Sequence, residues 1–256
     1  MDFPHYPGKQ QFRGVFAASD IFSTRGKDVR DRLKGATSAV VCFESSLWKY
    51  LLGMFGGREA DGFSGSVALL KKKGAPIVLA QTPGIGAPAA ALMLEELAAS
   101  GVRRCIAVGV AGSLQPSINT GDYIIPTDAI RDEGTSHHYV RSDVPASPSG
   151  ELLRRLTSGI SQLNRKYFSG TIWTTDAPYR ETAEEVARYE KEGVLAVDME
   201  MSAFLCIGSA LNMEVAGALV AADSLAGGIW HPPADMKKVN SSLRQLGTAA
   251  VEALRS

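Results

Sequence analysis

The sequence predicts an α/β fold: one domain over residues 1–256, with a mixed, largely parallel central sheet flanked by helices on both faces. Three observations lead there. Short β-branched runs alternate with longer stretches of helical period, the pattern of strand–helix–strand units. Two runs, IAVGV and GALVAA, are apolar without alternation, as in strands covered on both sides. No tract rich in Pro, Gly or Ser divides the chain, and RSDVPASPSG at 141–150 reads as a surface loop.

In chain order, strands are predicted at Gly14–Ala18, Thr37–Phe43, Val67–Leu70, Ile77–Gln81 and Arg104–Gly109, then at Tyr123–Pro126, Gly170–Thr174, Val194–Val197 and Val215–Ala222. Helices are predicted at Ala87–Ser100, Gly150–Asn164, Glu181–Lys191, Met199–Leu211 and Ala234–Leu254. The first helix is the clearest: Ala90, Leu94 and Leu97 share a stripe, Glu95 and Glu96 lie off it, and Gly101 follows as a stop. Because strands outnumber helices, some strands must pair antiparallel.

Composition narrows the partners. Of 256 residues 45% are hydrophobic and 21% charged, with 27 Lys plus Arg against 27 Asp plus Glu. With no basic stripe and no acidic tail, neither nucleic acid nor an anionic membrane is expected as a partner. The most apolar stretch, Phe204 to Ala222, is broken by Asn212 and Glu214 and does not read as a membrane span. The start, MDFPHYPGKQ, has no apolar signal-peptide core. Cys42, Cys105 and Cys206 are scattered through apolar runs and read as reduced core thiols. A cytoplasmic protein is expected.

In open α/β sheets, ligands bind beyond the carboxyl ends of the strands. Four predicted strand ends carry unusual residues. QTPGIGAPAAA (81–91) follows a strand and opens a helix, so backbone N–H groups near Gly86 can face a polar ligand. It also matches GxGxxA through Gly84, Gly86 and Ala89, but the next strand end supplies no acid to bind a ribose, which argues against a dinucleotide. In GVAGS, Gly109 and Gly112 flank Val110 and Ala111 and allow close approach of the backbone. AVDMEMSA (196–203) places Asp198 and Glu200 in an apolar run, and VAADSL (220–225) ends on Asp223. Carboxylates so placed are partly desolvated, and their pKa values tend to rise. For Asp198 a helix cap is the competing structural reading. His137 and His138 are adjacent and point apart in extended chain, and no His/Cys/Asp spacing suggests a metal site.

Taken together, PGIGAPAAALMLEEL, VGVAGSLQPSINTGD, RDEGTSHHY, and AVDMEMSA followed by ADSL resemble the nucleoside phosphorylase/nucleosidase superfamily, over roughly residues 77 to 255. TPGIGAPAA, GSLQPSINTGD and RDEGTSHHY look most like its uridine phosphorylases. The resemblance implies cleavage of the N-glycosidic bond of a nucleoside through an oxocarbenium-like transition state. It gives Glu200 the 2′- and 3′-hydroxyls of the sugar, lays Met199 against the sugar face, and sets Asp198 beside them. It makes Asp223 the acid that protonates a leaving purine, since uridine-specific members lack it and use a Gln and an Arg where TTDAPYRETAEE stands here. Tyr179, Arg180 and Thr182 are the side chains that stretch offers, and His138 or His5 is the candidate for the 5′-hydroxyl. A purine nucleoside is therefore expected over uridine, with a homo-oligomer (dimer or hexamer) and no cofactor beyond inorganic phosphate as co-substrate.

The phosphate site departs from the family pattern. The resemblance calls for an arginine and a Ser or Thr where Ala107 and Val110 stand, and the Gly-Asp-Pro loop is replaced by FAASDIFSTRG. Phosphate needs charge-assisted donors, for which Arg25, Arg131 and Arg180 are the candidates. Failing these, the acceptor is water and the chain a nucleosidase, with Ser19, Asp20 and Glu44 as the groups available to activate it. A nucleoside sensor without chemistry is the alternative of another class.

Overall fold

The computed structural model describes residues 3–24, 33, 35–70 and 74–255. Among them, nine strands join in one sheet: β1 Ser38–Cys42, β2 Gly57–Glu59, β3 Ser66–Leu70, β4 Ile77–Gln81, β5 Arg104–Ser113, β6 Tyr123–Asp132, β7 Tyr167–Thr175, β8 Ala196–Asp198 and β9 Glu214–Ser224. The helices around it are α1 Ala18–Thr24, α2 Ser45–Phe55, α3 Ala87–Ala99, α4 Gly150–Ser161, α5 Ala183–Lys191, α6 Met201–Ala210 and α7 Met236–Ala253. None is long and apolar enough to cross a membrane.

The strand order is β2-β3-β4-β1-β5-β8-β7-β6-β9, and β9 also pairs with β5, so the last five strands close into a ring. The β1–β4, β1–β5, β5–β9, β6–β7 and β7–β8 pairs are parallel. The β2–β3, β3–β4, β5–β8 and β6–β9 pairs are antiparallel. The sheet is mixed, as the excess of strands requires.

Strand alternation divides the core in two. Ala39 and Val41 of β1 join Met93 and Leu94 of α3 and Phe204 of α6 on one face. Val40 and Cys42 join Leu47 and Leu51 of α2, Leu156 of α4 and Leu243 of α7 on the other. Each buried leucine contributes about 1.5–3 kcal/mol. The three cysteines are free and buried, and burial pushes the Cys42 and Cys105 thiols far above their ordinary range.

Strand β5 is the axis of the sheet. It runs parallel to β1 and β9, its register with β9 shifts between Ala111 and Gly112, and at Gly112–Ser113 it turns to pair antiparallel with β8. The sheet forks there, leaving a hollow beyond the carboxyl ends of its strands.

Local corrections are of two kinds. Gly14–Ala18 is not a strand: β-branching is confined to Val15, which is fully exposed, and the chain instead enters α1, where Asp20 accepts the Ala17 N–H at 2.8 Å. Helix α2 and strand β2 were not expected; α2 buries Leu47, Trp48, Leu51 and Phe55 on one stripe. Element ends also move. Helix α5 starts at Ala183 because Thr182 and Glu185 form a capping box, and β5 and β6 extend to Ser113 and Asp132.

Candidate active site

Where β5 forks, strand ends and loops enclose a cavity of about 580 Å³. Phe43 and Glu44 follow β1, Ile85 precedes α3, and Val110, Ala111 and Gly112 form the wall from β5. Asp198, Met199 and Glu200 enter from the β8–α6 turn and Asp223 from β9, while Tyr179 and Glu181 precede α5.

The two acids of AVDMEMSA are set differently. Asp198 Oδ2 accepts the N–H groups of Glu200 (3.2 Å) and Met201 (2.7 Å), and Oδ1 accepts the Thr174 hydroxyl at 2.6 Å. Its carboxylate satisfies orphan donors at the start of α6, so it caps the helix as well as lining the cavity. Thr174 Oγ1 in turn accepts the Ser202 N–H at 2.9 Å, tying α6 to β7. Glu200 is turned to the cavity, its Oε1 accepting the Gly86 N–H at 2.6 Å. Gly86 has φ 92°, a backbone state that favours glycine, which explains its place in PGIG. Burial, and for Glu200 the nearby Asp198, raise the pKa of both acids, against the pull of their backbone donors.

Asp223 lines the cavity from β9, and its Oδ2 accepts the Trp230 indole N–H at 2.7 Å. Its Oδ1 lies against Gly112, where an added Cβ would be only 3.1 Å away. Glu181 lines the same cavity. Burial first, then Asp223 and Glu185, push it up to about 7.

Other expected residues lie elsewhere. Arg131 does not line the cavity: its guanidinium is held by the Ser136 hydroxyl and the carbonyls of Val140, Arg141 and Val144, so it pins its own loop and is not free for phosphate. The His138 Nδ1 is 2.8 Å from Lys9 Nζ and its ring meets Phe3 edge-on, in a groove apart from the cavity of its own chain. His5 stands in the same N-terminal segment, edge-on to the other side of Phe3. The Arg180 side chain is exposed and off the cavity wall. Ser19 and Asp20 belong to α1, whereas Glu44 does reach the cavity. Arg25 lies outside the described residues. Sequence reasoning missed Glu181, Trp230, Phe43, Ile85 and Leu225; an aromatic held between Gly227–Gly228 and Pro232–Pro233 was the one local signal for Trp230.

Five acids (Glu44, Glu181, Asp198, Glu200, Asp223) line the cavity, and among the described residues no Lys, Arg or His does. Nor does any group of three His, Cys, Asp or Glu stand ready to hold a metal ion. The arrangement is a cavity whose charged lining, among the described residues, is carboxylate alone. The model of the phosphorylase superfamily matches residues 56–255, and the chain belongs to that superfamily. It is 40% identical over 135 residues to a uridine phosphorylase of Thermococcus kodakarensis, covering 53% of this chain and 47% of the relative. It is 32% identical over 140 residues to a guanosine phosphorylase of Halorubrum lacusprofundi, covering 55% of this chain and 58% of the relative. These matches span about half of the two relatives. A longer one, to the uridine phosphorylase of Haemophilus influenzae, is 29% identical over 213 residues and covers 74% of this chain and 82% of the relative. The crystal structure of uridine phosphorylase from Vibrio fischeri complexed with 6-hydroxy-1-naphthoic acid superposes with a TM-score of 0.78 at 28% identity, covering 88% of this chain and 93% of that one.

Proposed function

We propose that the chain cleaves the N-glycosidic bond of a purine nucleoside and passes the ribosyl group to phosphate. The observation that carries this reading is the convergence of Glu200, from the β8–α6 turn, and Asp223, from β9, on one cavity with Met199 between strand and helix. Glu200 grips the sugar hydroxyls and sits near the positive charge that develops as the bond breaks. The Asp223 end receives the base and supplies its proton, a general-acid role. Val110, Ala111 and Gly112 let the backbone approach the bound nucleoside. The curated relatives named as phosphorylases support phosphate as acceptor. Its cations then come from outside the described wall; Arg25, Lys27, Arg30, Arg32 and Lys34 crowd one short stretch of the sequence.

Hydrolysis is the second reading, favoured by the all-acid wall and by Ala107, which is fully buried. Incubating the protein with adenosine, inosine, guanosine and uridine, with and without phosphate, decides between them. Phosphate is expected to raise purine release at least about tenfold, an effect of roughly 1.4 kcal/mol on the barrier. Equal release without phosphate turns the assignment to a nucleosidase, and release from uridine alone removes the purine preference.

A further inference from the structure

We propose that Glu181, which lines the cavity with Asp223, holds the proton that the departing base takes. The inference rests on the nucleoside-cleaving reading above and names a second residue for its acid step.

The geometry separates the roles. Asp223 is fixed as an acceptor, Oδ2 receiving the Trp230 indole and Oδ1 lying against Gly112. The Glu181 carboxyl lines the same cavity and accepts no hydrogen bond among the described residues. It faces Asp223 from β9 and Glu185 from α5, with Glu44, Asp198 and Glu200 elsewhere on the wall and no cation there to offset them. Glu185 is itself held by the Thr182 N–H and hydroxyl. Half-burial beside other acids, with no hydrogen-bond donor on its carboxyl, favours the neutral form of Glu181. Burial and Asp223 bring Glu181 to about 7, the poise a general acid needs near neutral pH.

The step balances. As the C1′–N bond breaks, its electron pair goes to the base, and a base nitrogen takes the Glu181 proton. Neutral base leaves and the Glu181 carboxylate remains. The acceptor oxygen bonds to C1′, and solvent returns a proton to Glu181 past Tyr179, which is fully exposed and lines the cavity.

The test compares inosine with 4-nitrophenyl riboside, whose leaving group departs as an anion without protonation. Glu181→Gln and Asp223→Asn are assayed on both, with phosphate present, from pH 5 to 9. Glu181→Gln is expected to lower kcat/KM for inosine by roughly 10²-fold, and to do so about 30-fold more than for the nitrophenyl riboside. The wild-type fall in inosine activity above about pH 7 is expected to flatten in the variant. Equal losses on both substrates would reduce Glu181 to a structural residue and overturn the proposal, as would no loss on either. A wild type that cleaves the nitrophenyl riboside but not inosine also overturns it. A wild type that cleaves neither removes the function reading itself, and the acid role of Glu181 with it.

Discussion

Replacing Glu200 by glutamine is expected to reduce kcat/KM for nucleoside cleavage by about 10³-fold, the scale seen when a preorganised electrostatic partner of a transition state is removed. The amide oxygen can still accept the Gly86 N–H that now meets Oε1. What disappears is the second acceptor for a sugar hydroxyl and the negative charge opposite the developing cation. Stability should move the other way. Burial and Asp198 raise the Glu200 pKa in the folded state, so its contribution is intact below the unfolded value and is lost as pH rises through the raised one. Glutamine has no such titration, so the melting temperature of the variant should exceed that of the wild type by more at pH 9 than at pH 5. Steady-state kinetics with thermal melts at the two pH values test both halves; a variant with near-native kcat/KM would remove Glu200 from the chemistry.

Valine at position 112 is expected to lower kcat/KM by at least about 10²-fold, because displacing reacting groups by an ångström is enough for that. A Cβ there stands 2.7 Å from Leu225 Cδ1, 3.1 Å from Asp223 Oδ1 and 3.5 Å from Val197 Cγ1. The side chains that must give way line the cavity, at the end proposed to receive the base. Overpacking of this kind costs about 1–3 kcal/mol, a shift readable by urea unfolding. If activity survives while the protein is destabilised, the base end lies elsewhere.

The layout of the sheet was legible because its signal is local: β-branched runs, uniform apolarity in the inner strands, and helices of the right length between them. The same holds for the strand ends that converge, since PGIG, GVAGS, DME and ADS each break an apolar pattern. Helix α2 was missed although Glu44-Ser45-Ser46 breaks the apolar run after Ser38–Cys42 and Leu47, Trp48, Leu51 and Phe55 follow at helical spacing. Glu181 was missed for a reason the sequence does not show. On the sequence it is one acid among four between 181 and 190; only the packing of the 226–228 turn against α5, with the Gly227 N–H on Glu190, brings it to face Asp223. Arg131 shows the converse: it was a candidate only because the phosphate arginine of the resembled family is missing, and nothing local in the sequence shows that its guanidinium is held by carbonyls of its own loop.

Of the three tryptophans, Trp48 and Trp173 are 8% and 1% exposed, while Trp230 is 62% exposed and hydrogen-bonded to Asp223. The molecule therefore carries a built-in optical reporter. The two shielded indoles emit at shorter wavelength, and the red-shifted remainder comes from one ring hydrogen-bonded to a carboxylate of the cavity wall. Occupancy of the pocket can be read from unlabelled protein as a change in that component alone, whether or not a bond is broken.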